Sequence, residues 1–275
     1  MRVRKLLSSE PVAKGVSCSD PIACQFSSLS SLPTSLRDAL QTSFNSSSRR
    51  MFGAARGPLR VVFPTEATVR NSLEGWFAGD AIPCRSHHLT PDVRKLLWRW
   101  ECPLSGRQRA APHIKTFCRF ARSGSGHLGW VVLSSHNISA AAWGQLSRRA
   151  GRTALVIKSY ELGVMHRPSA VAKARGCATV SLRSLFEALS ADGTVPRNTS
   201  DAPIPFPPDP SRPRSPAPVL YVPLPHVLPA SKYTKADEPW AVDVAHVGAD
   251  QKDFRGGEWV PVPGSDRCRY SLPVD

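Results

Sequence analysis

Two strand-like segments joined by a short turn constrain the fold of this chain more than any other feature of its sequence. HIKTFCRF (113–120) has strand-like alternation, and LGWVVLSS (128–135) is a more apolar run. The Ser- and Gly-rich residues 123–126 between them favour a tight turn. The sequence therefore predicts an antiparallel hairpin that brings the start of the first segment close to the end of the second.

Three polar residues at the ends of this hairpin form a chemically coherent set. His113 and Lys115 are two residues apart, so a strand would point both side chains to the same face. Asn137 follows the second strand, just before a predicted helix (139–149) whose N-cap is Ser139. An imidazole with a reference pKa of about 6.5, an ammonium and an amide together suit a phosphate. Singly, each has an ordinary structural explanation, as an edge residue or a helix cap.

Charge and composition limit the class of partner. The formal net charge of +15 predicts a polyanionic partner, nucleic acid before an anionic membrane surface. The seven cysteines form no C-x-x-C pair, which indicates reduced thiols in an intracellular protein rather than a disulfide framework or a zinc site. No apolar run approaches the roughly 20 residues of a membrane span. We expect a phosphate site without metal or cofactor, and no membrane association.

Interleaved strand and helix signals predict an α/β layered domain. We predict strands at 59–65, 113–120, 128–135 and 154–166, and helices at 35–44, 90–101, 139–149 and 181–189. Residues 1–20 are expected to form a flexible basic lead-in. Twelve of the 26 prolines lie between 191 and 230, which predicts a long surface loop inserted there.

The order of these motifs resembles a known family. His-x-Lys followed by the asparagine is similar to the second active-site motif of the tyrosyl-DNA phosphodiesterases, which belong to the phospholipase D superfamily. Further blocks are similar to that family in the same order: QFSSLSSL (25–32), VVFPTEATVRNSLEGW (61–76), SSHNISAAAWGQL (134–146), KSYELGV (158–164), EPW (238–240) and GEWVPVP (257–263). The resemblance implies a phospholipase D-like domain over 21–275, a mixed sheet flanked by helices, equivalent to the C-terminal half of the two-part family fold.

The same resemblance implies a function and a set of roles. Enzymes of this family hydrolyse the bond between a DNA 3′ phosphate and tyrosine through a phosphohistidine, without a metal ion. His113 resembles the general acid and base, Lys115 and Asn137 the phosphate-holding groups, and Glu161 the carboxylate that orients the partner histidine. The residues similar to the family's DNA contacts are Ser27, Ser28, Ser31, Ser139, Ala141 and Trp240. The implied partners are 3′-blocked single- or double-stranded DNA and a topoisomerase I-derived peptide, in the nucleus.

One departure from the family pattern limits these expectations. The family uses two His-x-Lys motifs, but none of the other seven histidines of this chain has a lysine two positions later. We therefore expect the nucleophilic histidine to come from a separate N-terminal half or from a homodimer partner. The alternative is an inactive half-enzyme that binds DNA ends without turnover. A lipid phosphodiesterase of the same superfamily is disfavoured, because the blocks match the DNA enzymes.

Overall fold

The structure, a computed structural model, describes residues 2–47, 56–102, 107–149, 151–185 and 218–272. The strands in this part of the chain are β1 (Ile22–Gln25), β2 (Leu59–Phe63), β3 (Leu97–Arg99), β4 (Lys115–Phe120), β5 (His127–Ser134), β6 (Gln145–Arg149), β7 (Arg152–Val156), β8 (Gly163–His166), β9 (Ser181–Ser184), β10 (Val219–Val222), β11 (Glu258–Pro261) and β12 (Cys268–Ser271). The α-helices are α1 (Arg2–Ser8), α2 (Thr34–Phe44), α3 (Glu66–Arg70), α4 (Pro91–Arg94), α5 (Ala140–Trp143) and α6 (Pro168–Ala174).

Eight of the described strands form one mixed sheet in the order β10-β9-β5-β4-β1-β2-β3, with β8 also paired to β5. β1 runs parallel to β2 and antiparallel to β4, and β5 runs antiparallel to β4 and β8. The register pairs Lys115 with Ser134 and Ser134 with Gly163. The ends of β1 and β5 and the starts of β4 and β8 therefore meet at one edge of the sheet, which we call the site edge.

Apolar residues cover both faces of this sheet. On one face, Phe44 of α2 packs against Phe117, Trp130 and Trp143, with ring centroids 5.3–5.7 Å apart. On the other face, buried residues of β4 and β5 join the cluster of Ala172, Val180, Leu182, Leu224 and Leu228. A sheet buried on both faces is the arrangement expected of a layered α/β domain, which confirms the predicted fold class.

The predicted hairpin is confirmed, because β4 and β5 pair antiparallel around residues 121–126. The helix expected at 35–44 is confirmed as α2. The helix expected at 90–101 is wrong beyond its first turn. It begins with Thr90 as N-cap and ends at Arg94, and the chain then enters β3, where the backbone pairs with β2.

The helix expected at 139–149 is also wrong. α5 ends at Trp143 because Gly144 adopts a φ of 84°, which favours glycine and stops the helix. The following residues form a hairpin of β6 and β7 that turns at Gly151, with a φ of 74°. The single buried strand expected at 154–166 is therefore divided between the exposed β7 and the separate β8.

Three further expectations need correction. The helix expected at 181–189 begins instead as β9, which pairs with β10 and β5, and residues 186–189 lie outside the described residues. The lead-in over 1–20 contains α1, whose Leu7 is fully buried. Much of the predicted proline-rich loop, 191–217, lies outside the described residues. Residues 219–222 form β10, the strand at one end of the sheet, rather than a loop, and Leu224 after it is buried.

Candidate active site

Asn137 fastens two loops together at the site edge. Its Oδ1 accepts hydrogen bonds from the backbone N–H groups of Ser27, at 3.2 Å, and Ser28, at 3.0 Å. Because Oδ1 faces backbone donors, Nδ2 points its two N–H groups away from them, and no acceptor for Nδ2 lies among the described residues. Asn137 therefore has both a structural contact and a free donor for a ligand.

Lys115 lies beside Asn137's loop at the first position of β4. Its side chain is buried, and Nζ donates a hydrogen bond to the backbone oxygen of His113 at 2.6 Å. This bond ties the two residues of the His-x-Lys motif to each other. Burial lowers the pKa of Lys115, and the negative charge of Glu161 acts in the opposite direction. The ammonium keeps two further N–H donors for an anion.

His113 precedes β4 rather than lying within it, so the predicted strand alternation applies to Lys115 but not to His113. Its side chain is exposed, and its ring has no hydrogen-bond partner in the described part of the chain. Partial burial lowers the pKa of His113, and the positive charge of Lys115 lowers it further. Both ring nitrogens are open to a ligand, as a proton-transferring group requires.

Glu161 reaches the same edge from the segment before β8. Its carboxylate accepts a hydrogen bond from Ser135 Oγ, and Ser135 Oγ accepts one from the backbone N–H of Leu162 at 3.1 Å. The backbone N–H of Ser135 also donates to the oxygen of Leu162 at 3.0 Å. The carboxylate is thus fixed beside the loop that carries Asn137, close enough to influence the pKa of Lys115.

Some of the residues predicted to contact DNA are accessible to a ligand, and others are buried or hydrogen-bonded within the protein. Ser31 is exposed, and Ser28 is half-buried with no hydrogen-bond partner for its hydroxyl among the described residues. Ser27 is buried, with its backbone N–H bonded to Asn137. Ser139 Oγ caps α5 by accepting from the N–H of Ala142 at 3.2 Å.

Two of the residues predicted to contact DNA have structural roles. The carbonyl of Ala141 accepts from the N–H groups of Lys158 and Ser159 at 2.9 and 3.1 Å, which anchors the segment after β7. Trp240 is fully enclosed: its Nε1 donates to the oxygen of Ile82 at 3.1 Å, and its ring stacks on Trp76. A direct contact of Trp240 with DNA is therefore wrong for this structure, because no part of its ring reaches the surface.

Sequence analysis missed Gln25, which holds the site edge together. This fully buried side chain at the end of β1 donates from Nε2 to the backbone oxygen of Ile114, between His113 and Lys115. Its Oε1 accepts from Thr116 Oγ1 at 3.3 Å. The sequence did contain a signal for Gln25. An amide side chain ends the apolar run IACQ, and a polar group buried at such a position requires hydrogen-bond partners.

A groove adjoins the site edge at Ser28. Its cavity of about 360 Å³ is lined by Ser28, Ser30, Asp80, Arg85, His88 and Arg267, among others. Arg85 pairs with the exposed Asp266, whereas no carboxylate partner for Arg267 is found in the described ranges. Arg267 offers one positive charge to an extended anionic ligand that passes Ser28, and the Asp80 carboxylate lies in the same lining.

Within the described residues, no group of three or more His, Cys, Asp or Glu side chains is placed to hold a metal ion. The described helices are all too short or too polar to cross a membrane. The site residues that the structure does gather are neutral or cationic hydrogen-bond donors together with one carboxylate.

Comparison with known proteins identifies the family. The family model for tyrosyl-DNA phosphodiesterase matches residues 1–234. Tyrosyl-DNA phosphodiesterase 1 of Arabidopsis thaliana is 34% identical over 245 residues, covering 87% of this chain and 38% of the relative. A probable tyrosyl-DNA phosphodiesterase of Schizosaccharomyces pombe is 38% identical over 128 residues, covering 42% of this chain and 24% of the relative.

The solved structures agree on the fold. A crystal structure of the yeast tyrosyl-DNA phosphodiesterase superposes with a TM-score of 0.52 at 19% identity, covering 87% of this chain and 52% of that one. The chain thus spans about half of that structure and less than half of the Arabidopsis relative. The chain belongs to the tyrosyl-DNA phosphodiesterase family and has its phospholipase D-like fold.

Proposed function

We propose that this chain supplies the general acid–base half of a phosphodiesterase that releases tyrosine from DNA 3′ ends. The observation that carries the proposal is that three side chains at the site edge keep hydrogen-bonding atoms available for a ligand, in a chain of this family. They are the exposed imidazole of His113, the Nζ donors of Lys115 and the unpartnered Nδ2 of Asn137. Together they offer donors to a phosphate and a group that transfers protons beside it.

In the proposed reaction, Lys115 Nζ and Asn137 Nδ2 hold nonbridging oxygens of the phosphodiester. A histidine from the second half of the site attacks phosphorus, and the bond from phosphorus to the tyrosine oxygen breaks. Protonated His113 gives its proton to that oxygen. It then takes a proton from the water that hydrolyses the phosphohistidine, which leaves a 3′ phosphate. A phenol with a pKa of about 10 is a moderate leaving group, so one imidazolium is sufficient acid.

The second half of the site is proposed to cover an exposed apolar surface beside Glu161. Leu146, Leu155 and Tyr160 of the β6–β7 hairpin and its continuation are 75%, 54% and 106% exposed, and Leu162 is 82% exposed. Exposed apolar patches of this kind mark interfaces. The proposed occupant is a separate N-terminal half or, in a homodimer, a second copy of this chain, whose histidine Glu161 would orient.

The proposed substrate is DNA with a blocked 3′ end, single- or double-stranded, carrying a topoisomerase I-derived peptide. The net charge of +15, the exposed Ser31 and the groove that begins at Ser28 support this choice of polyanion. We place this reaction in the nucleus, where such adducts form on chromosomal DNA. Fluorescence imaging of the tagged chain tests that location, and exclusion from the nucleus would contradict it.

Release of tyrosine from a 3′-phosphotyrosyl oligonucleotide tests the proposal. We expect release by the purified chain, either alone at a concentration that allows self-association or after addition of an N-terminal half from a relative. His113→Ala should abolish release. His127→Ala is the matched control, because His127 lies at the opposite end of β5 from the site edge. Equal loss in both variants would contradict the assigned role of His113.

A second candidate function is a DNA-end-binding module without turnover. The observation that favours it is the single His-x-Lys motif in this sequence. This candidate predicts tight, salt-sensitive binding of the 3′-phosphotyrosyl oligonucleotide with no tyrosine released under either condition. Tyrosine release that depends on His113 would exclude it.

A further inference from the structure

A second histidine, His136, is hydrogen-bonded to the residue that pairs with Lys115. β4 and β5 pair Thr116 with Leu133 and Lys115 with Ser134. Both strands end at this pair, and Ser134 Oγ is hydrogen-bonded to Nδ1 of His136, two residues further along the chain. Residues directly opposite each other on paired strands have side chains on the same face, so the bond to Ser134 holds the His136 ring at the face that carries Lys115.

We propose that His136 is a second imidazole of the phosphate site, which donates a hydrogen bond from Nε2 to a phosphate oxygen beside Lys115. The inference rests on the proposed function, because it names a further residue of that same site. It adds to this site an ionisable group from the loop after β5, whereas the residues discussed above supply one imidazole only.

Contacts on three sides fix the His136 ring. Nδ1 is hydrogen-bonded to Ser134 Oγ, and the backbone N–H of His136 donates to the same oxygen at 3.1 Å. The ring lies 4.8 Å from the Trp143 ring, centroid to centroid. Trp143 Nε1 in turn donates to the backbone oxygen of Asn137 at 3.0 Å. His136 is therefore packed as part of the loop that carries Asn137.

The hydroxyl of Ser134 determines which ring nitrogen is available. Ser134 Oγ lies 3.3 Å from the backbone oxygen of Leu162, to which it donates its one hydrogen. It then has only lone pairs to offer His136, so Nδ1 carries the hydrogen and donates to Ser134 Oγ. Nε2 keeps its lone pair in the neutral ring and becomes a donor when the ring is protonated. The described residues provide no partner for Nε2.

The groups around His136 make its charge responsive to a bound anion. Burial against Trp143 lowers the pKa of His136, and the Glu161 carboxylate, from the segment before β8, opposes this effect. Lys115, at the start of the neighbouring strand β4, lies opposite Ser134, to which the His136 ring is bonded. A phosphate bound among them favours the protonated ring, so binding should take up a proton and strengthen as the pH falls.

The test measures binding of a short single-stranded oligonucleotide with a 3′ phosphate by fluorescence anisotropy between pH 5.5 and pH 8. The same oligonucleotide with a 3′ hydroxyl is the reference ligand. We expect His136→Gln to weaken 3′-phosphate binding about tenfold at pH 5.5 and about twofold or less at pH 8, since a charge-assisted hydrogen bond is lost only where the imidazole is protonated. His127→Gln should leave the pH profile unchanged.

The outcomes separate the two proposals. If the native chain prefers the 3′ phosphate and His136→Gln retains the native pH profile, the role of His136 is refuted and the proposed phosphate site stands. If the native chain has no preference for the 3′ phosphate at any pH, both are refuted.

Nuclear magnetic resonance of the His136 ring supplies a readout in the unsubstituted chain, should the variant fail to fold. The pKa of His136 should rise when the 3′-phosphate oligonucleotide is added and stay constant with the 3′-hydroxyl reference. A pKa that is unchanged by the 3′-phosphate oligonucleotide would overturn the inference.

Discussion

Replacing Asn137 with alanine removes the one acceptor that serves two backbone donors at the site edge. Ser27 N–H and Ser28 N–H would lose partners at 3.2 and 3.0 Å. An unsatisfied buried donor costs about 1–3 kcal/mol. Ser27 is buried and bears the full penalty, whereas water can reach the half-buried Ser28 and reduce it. We expect Asn137→Ala to lower the free energy of unfolding by about 2–4 kcal/mol.

Urea unfolding followed by tryptophan fluorescence measures this change, and thermal unfolding should show a decrease in Tm of about 5–10 °C. Asn71→Ala is the matched control, because Asn71 is exposed and its side chain makes no hydrogen bond within the described residues. That control should change the free energy of unfolding by less than about 0.5 kcal/mol.

Asn137→Asp separates the structural contact from the ligand contact. A carboxylate still accepts from both backbone N–H groups, so the free energy of unfolding should remain within about 1 kcal/mol of the native value. The same substitution removes the Nδ2 donors and places negative charge at the proposed phosphate site, so binding of a 3′-phosphate oligonucleotide should be lost. A stable Asn137→Ala variant would refute the structural role argued for Oδ1.

Three further perturbations test other parts of the structure. Lys115→Met should reduce the slope of log affinity against log salt by about 0.7 for single-stranded DNA, the value for one phosphate contact; an unchanged slope would contradict that contact. His226 is buried and its pKa is lowered to about 4, so the folded state resists its protonation. The unfolded chain then binds more protons, and this group should remove about 3 kcal/mol of stability as the pH falls from about 6.5 to 4. Urea unfolding of His226→Gln across this window should show a weaker pH dependence, and an unchanged dependence would argue against the assignment. Leu162→Glu should abolish concentration-dependent association in sizing chromatography, and persistent association would place the interface elsewhere.

Local patterns were sufficient to predict the part of the fold that carries the site. The 113–135 hairpin follows from strand-like alternation and a Gly-containing turn, and the structure confirms it as β4 and β5. Placing Lys115 and Asn137 at one edge follows from the same hairpin, because both lie at its open end. Glu161 could be placed there only through the family resemblance, since its segment reaches the edge by pairing between β5 and β8.

Tertiary contacts decided the elements that sequence patterns predicted wrongly. Residues 139–149 have helical apolar spacing, but the φ of 84° at Gly144 ends the helix. Residues 145–149 then pair with 152–156 as strands instead. Residues 181–184 form a strand because β5 and β10 offer pairing partners distant in sequence. Trp240 belongs to a block similar to the family's, yet the stacked Trp76 and the Ile82 carbonyl hold it in the core. Such long-range partners are not visible in a local pattern.

The central claim is that His113, Lys115 and Asn137 bind one phosphate together. The most direct measurement is the affinity ratio between 3′-phosphate and 3′-hydroxyl oligonucleotides of equal sequence, for the native chain and for His113→Ala, Lys115→Met and Asn137→Asp. We predict a preference of about tenfold or more in the native chain and a reduced ratio in each variant, with 3′-hydroxyl binding changed by about twofold or less. A native ratio near one, or a ratio that survives all three substitutions, would contradict the account.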